Sequence, residues 1–174
     1  MAENYPTLTT LHNLLDYDAR KFTNAEIQLQ RVLPQWIARA GSLQLKAVLQ
    51  KYLDFVQQHV KKMEYFIEEE KISSLSVINR VMDAFIKETE EMLLNCIDTE
   101  VKDACLLACI QAINHFKISM YGTAAAFANA LDMTKAAAIF HEAEVNEKQI
   151  DDQMSQLAAH EINTRAKAPI LLRG

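Results

Sequence analysis

The stretch VKDACLLACIQAINHFKISMYGT, residues 101–123, holds the key to the fold. It carries apolar residues at the intervals of a buried helix, and Asn114, His115 and Lys117 interrupt that pattern near its middle. Either this face of the helix is wet, or the interior of a helical bundle holds a polar site. The neighbouring segments choose between the two.

Helical periodicity marks five segments along the 174 residues. The first spans about Leu8 to Ala40, with Pro34 predicting a kink near Gln30. Gly41-Ser42 ends it and caps a second, Leu43 to about Lys71. A shorter third runs from about Ser76 to Asn95. Asp98 or Thr99 caps a fourth that reaches Leu131, and Asp132 or Thr134 opens a fifth that reaches Thr164. With only three Gly and three Pro, few turns are available to punctuate strands. Two long antiparallel hairpins joined by a bridging helix describe an all-α, ferritin-like four-helix bundle. One domain over residues 1–164 and a tail over 165–174, which Pro169 keeps from continuing the helix, complete the expected organisation.

Charge and composition narrow the function. A net charge of −5 opposes binding to a phosphate backbone, and Lys61-Lys62 beside Lys51 reads as a solvated face. The start, MAENYPTLTT, lacks a secretion signal, and no apolar run reaches the ~20 residues that span a bilayer. A cytoplasmic protein bound to neither nucleic acid nor membrane is expected. Cys96, Cys105 and Cys109 follow no metal-ligand spacing and read as reduced, buried thiols. The five histidines show no His-x-x-x-His pair, no glycine-rich phosphate loop exists, and no Ser or Cys has a base and an orienting acid at motif spacing.

Residues 101–123 regain their interest once the hairpins are folded. Glu26 and His59 have their midpoint beside the Gly41-Ser42 turn, so on antiparallel helices they stand level, roughly 25 Å from it. Asn114 and Glu147 have the same separation, with their midpoint at the Ala130–Asp132 turn. Lys117 lies three residues after Asn114 and Asp151 four after Glu147, each on its partner's face. Level polar residues on facing helices are how ferritin-like bundles build a dimetal site from carboxylates and imidazoles, ligands suited to iron or manganese.

At these residues the chain resembles the YciE/YciF family of bacterial ferritin-like proteins, over about residues 14–161. The resemblance rests on NAEIQL at 24–29, on residues 101–123 with Tyr121-Gly122-Thr123, and on KAAAIFHEAEVNEKQIDD at 135–152. It implies a homodimeric bundle associated with stress responses, with a dinuclear metal centre and a ferroxidase label inherited from ferritin. The family's acids, however, are missing at several positions. The glutamate of its Glu-Thr-x-x-His/Gln motif falls on Phe55, leaving His59; the two glutamates of its Glu-His-Tyr-Glu motif fall on Asn114 and Lys117; a third falls on Asn146. Asp83 stands where the third helix has Glu. Asp54 cannot replace the acid at 55, because five residues from His59 turns it ~140° around the helix.

Glu26, His59, Glu147 and Asp151 are therefore read as the remnants of a metal site. Two divalent cations ~4 Å apart need more carboxylates than these to offset their repulsion. Lys117 subtracts a further charge. The expectation is a non-enzymatic bundle protein in which Lys117 stands in for metal charge and pairs with Glu26 and Glu147. The alternative is a metal-dependent oxidase or iron-handling protein with an altered ligand set. A protein partner is compatible with either reading and is specified by neither.

Overall fold

The computed structural model describes residues 7–73 and 77–167. Among them are helices α1 (Leu11–Arg39), α2 (Leu43–Glu69), α3 (Arg80–Asn95), α4 (Thr99–Ala130) and α5 (Thr134–Leu157). A π-helical turn, Ala158–Ile162, leads into a last short helix, α6 (Asn163–Ala166). The proposed start at Ser76 and the end of the tail from 168 onward lie outside the described residues. Helix α1 stays continuous through Pro34, and α3 begins four residues later than its periodicity predicts.

Helices α1, α2 and α4 begin where a side-chain oxygen takes a backbone N–H that has no partner within the helix, whereas α5 starts after Met133 with no side-chain cap. Thr10 accepts from Asn13, Ser42 from Leu45, and Asp98 from both Glu100 and Val101. Asn79 caps α3 by accepting from Met82, and three more hydrogen bonds, to Lys21, Asn24 and Gln28, pin it to α1. A 16-residue helix with three buried residues has a modest core of its own, so these bonds help to fix its position.

The two hairpins, α1–α2 and α4–α5, pack with α1 against α4 and α2 against α5, and α3 lies outside on α1 and α4. This is the ferritin-like bundle, closed by a long crossover through α3. Trp36, Leu49, Met63, Ile110, Phe140 and Met154, from the four long helices, are fully buried in its core. The α1–α2 turn is held from across the bundle. Gly41 and Ser42 donate their N–H groups to the Asp103 carboxylate at 2.7 and 2.8 Å. A Cβ at Gly41 would stand 2.5 Å from Thr99 Cγ2, so any larger residue there would have to displace the Thr99 side chain. Locking this turn sets the register of α1 against α2, and hence the depth at which their polar residues meet.

Candidate functional site: a buried ion cluster

At mid-bundle, each long helix delivers polar side chains to one point. Helix α1 supplies Glu26, α2 supplies Tyr52 and His59, α4 supplies Asn114, Lys117 and Tyr121, and α5 supplies Glu147. Glu26, Asn114, Lys117 and Glu147 are 0% exposed and His59 is 1% exposed, which excludes the snorkelling geometry usual for lysine. The level pairing expected from the turns is realised: His59 Nδ1 lies 3.2 Å from Glu26 Oε1, and Asn114 Nδ2 donates to Glu147 Oε2 at 2.7 Å.

Lys117 is the centre of the arrangement. Its Nζ donates to Glu147 Oε1 at 2.5 Å and stands 3.0 Å from Glu26 Oε2, an ionic contact without hydrogen-bond alignment. The ammonium also lies 4.7 Å from the centroid of the Tyr52 ring, a cation–π distance. Each carboxylate takes a phenol as well, Glu26 from Tyr121 and Glu147 from Tyr52. His59 Nδ1 faces oxygens of both Glu26 and Glu147, at 3.2 and 3.4 Å. Asn114 Oδ1 is a loose end, buried without a hydrogen-bond partner.

Burial disfavours every charge here, and the neighbours decide which charges persist. Burial alone would lower Lys117, yet Glu147 and Glu26 outweigh it and hold the ammonium above its ordinary value. Burial would raise Glu26, but Lys117 and the His59 and Tyr121 bonds bring it below the usual carboxylate range. Glu147 stays above that range, because burial and the nearby Glu26 charge together exceed the effect of Lys117. One ammonium cannot fully compensate two anions, so the carboxyls titrate as a coupled pair. Burial and the two anions also push both phenols well above ordinary tyrosine, keeping them neutral donors.

The remaining expected residues fall elsewhere or take other roles. Asp151 is not brought to the cluster: its carboxylate accepts from His115 Nε2 at 2.8 Å on the α4–α5 surface. The i+4 step keeps it within ~40° of Glu147 on α5, yet its side chain reaches the surface beside α4 and is 25% exposed. Phe55 stacks on the His59 ring, with centroids 6.4 Å apart and planes 7° from parallel, so an apolar ring occupies the place of an acid. Asn146 approaches His59 Nε2 at 3.4 Å. Asp83 pairs with Lys87, and Asp54 is exposed and bonded to Gln50, facing away as its helical angle predicts. Tyr52 and Tyr121 were missed as members. Their signal lies in spacing, since each stands seven residues from His59 or Asn114 and so shares its helix face. The three cysteines, expected in the core, are half-buried.

As a donor set, Glu26, His59 and Glu147 offer ligand atoms within 4.8 Å of one another. The Lys117 ammonium lies within 3.0 Å of both carboxylates, so a metal ion between them would meet a fixed positive charge. Asn114 adds no anion. These residues do not fit a dinuclear centre.

The family model for a domain of unknown function, DUF892, matches residues 10–167. The chain belongs to this YciE/YciF family. Protein YciF of Escherichia coli K12 is 29% identical over 147 residues, covering 83% of this chain and 87% of that protein. The crystal structure of the E. coli stress protein YciF superposes with a TM-score of 0.81 at 25% identity, covering 90% of this chain and 99% of the other. YcfI of Rhodopseudomonas palustris superposes with a TM-score of 0.82 at 24% identity, over 89% and 97% of the two chains, a likeness of fold. This DUF892 member has, among its described residues, no helix long and apolar enough to cross a membrane.

Proposed function

We propose that this chain is a non-enzymatic, metal-independent ferritin-like protein of the stress-associated YciF kind. In it, Lys117 supplies inside the bundle the positive charge that metal ions supply in a dinuclear ferritin-like centre. The observation that carries the reading is Lys117 Nζ, fully buried between Glu147 Oε1 at 2.5 Å and Glu26 Oε2 at 3.0 Å. Glu147 and Glu26 hold the Lys117 ammonium above its ordinary pKa, so it already supplies positive charge to the carboxylates a cation would need. The cluster then serves to fix the register of four helices, since a displaced helix would leave a buried charge without its partner.

The second reading, a metal-dependent oxidase or iron-handling protein, is favoured by the mutual closeness of the Glu26, His59 and Glu147 ligand atoms. Metal content after anaerobic Fe(II) or Mn(II) loading and desalting separates the two. The expected result is far less than one ion per cluster. Retention of about two irons per chain, with absorbance that develops on admitting oxygen, would establish the second reading instead.

A homodimer belongs to the proposal too. Leu94 and Ile97, 82% and 95% exposed beside the α3–α4 connection, are apolar area that a second copy would cover. Sedimentation velocity reads this directly, and a monomer at micromolar concentration would remove it. A cytoplasmic setting is supported by the three free thiols, which persist where the compartment is reducing.

A further inference from the structure

Away from the ion cluster, sulfur gathers where the end of α3 meets the start of α4. Cys109 Sγ lies 3.8 Å from Met92 Sδ. Cys96 and Cys109 both lie near enough to Cys105 to push its thiol up, and Cys96 Sγ donates to the Met92 carbonyl at 3.4 Å. Cys105 and Cys109 stand one turn apart on α4, as do Met92 and Cys96 at the end of α3. Four sulfurs thus converge from two helices. The thiols are free and half-buried, and Met92 and Cys109 open onto an apolar cleft of about 250 Å³ walled by Phe85, Ala108 and Ala112.

We propose that Cys105, Cys109 and Met92, with Cys96 alongside, form a binding site for a soft monovalent cation, Cu(I). Thiolate and thioether donors select soft cations over the hard ions that carboxylates and water prefer. The spacing agrees. With metal–sulfur bonds of ~2.3 Å, three sulfurs in a plane around one ion stand about 4.0 Å apart, close to the Cys109–Met92 separation.

The same geometry speaks against zinc. Structural zinc takes four ligands in a closed tetrahedron. Here the three thiols do not make a compact trio of the kind Glu26, His59 and Glu147 make. An open set of thiols beside a thioether suits an ion satisfied by two or three sulfurs.

The protonation state discriminates further. Burial first, then the neighbouring Cys109 and Cys96, push the Cys105 thiol up to about 12. It therefore stays protonated and is a poor nucleophile for disulfide exchange. A bound cation changes the balance: two thiols lose their protons to solvent, and the two thiolates with one Cu(I) carry a single negative charge instead of two. The apolar surroundings that oppose a bare thiolate tolerate that charge better.

The test uses the full chain, reduced and anaerobic, titrated with Cu(I) held by bicinchoninate. The expected result is about one Cu(I) withdrawn per chain, with only sulfur neighbours in X-ray absorption. Cys105→Ala/Cys109→Ala, which keeps good helix formers at both positions, should lower the affinity by about 100-fold or more, and Met92→Leu by about 10-fold. Circular dichroism confirms that both variants fold. Failure of the parent to compete with bicinchoninate, a nitrogen or oxygen shell, or unaltered affinity in the double variant would each overturn the site.

Discussion

Replacing Lys117 with methionine removes the ammonium while keeping a side chain of similar length. The change leaves Glu26 and Glu147, both fully buried, facing each other with only His59, Asn114 and the two phenols for support. Removing one partner of a buried ion pair costs roughly 3–5 kcal/mol, because the other charge is left uncompensated. Protonation of one carboxyl relieves part of this at a price set by pH. That carboxyl, already raised in the parent at Glu147, rises further above its unfolded value in the variant. A group raised on folding contributes stability below its unfolded pKa and loses it as pH climbs through the folded one. The deficit of Lys117→Met should therefore be small near pH 4.5 and grow toward neutrality. At pH 7.5 a loss of roughly 3–5 kcal/mol lowers the melting temperature of a chain this size by roughly 6–20 °C. Urea unfolding at pH 5 and pH 7.5, followed by far-ultraviolet circular dichroism, measures both terms. A variant within ~0.5 kcal/mol of the parent at both values, inside the usual range for a surface substitution, would refute the buried pair.

Adding Glu147→Gln to Lys117→Met removes an anion together with its cation, so the double variant should recover more than half of the single variant's loss; equal or greater loss in urea melts would place the cost in packing. Asp103→Ala withdraws the carboxylate that accepts from Gly41 and Ser42 and should cost roughly 1.5–3 kcal/mol in the same assay, the range for hydrogen bonds to a charged group, whereas a loss under 0.5 kcal/mol would show that water replaces it.

The four long helices and their pairing were legible because local signals agree: apolar period, caps such as Ser42 and Asp98, and the Gly41 turn all name the same boundaries. The depth of the cluster was legible for the same reason, since equal distances from two tight turns place Glu26 with His59 and Asn114 with Glu147. What spacing could not convey was direction in three dimensions. Asp151 satisfies the same i+4 rule as real neighbours do, but α5 is packed against α2 as well as α4, and the angle between those contacts turns Asp151 outward to His115. Tyr52 and Tyr121 were hidden because an aromatic at core spacing looks the same whether its hydroxyl is used or not. The cysteines behaved likewise: only the approach of α3 to α4 brings Met92 to Cys109.

By itself, then, the order of residues determined that helices form, where they turn and which polar groups share a level, because hydrogen bonds within a helix and its caps are local. Whether Lys117 is a buried cation or a solvated one depends on four helices closing around it at once. That closure belongs to the tertiary structure, which makes the ammonium and its two carboxylates more stable together than any of them would be alone.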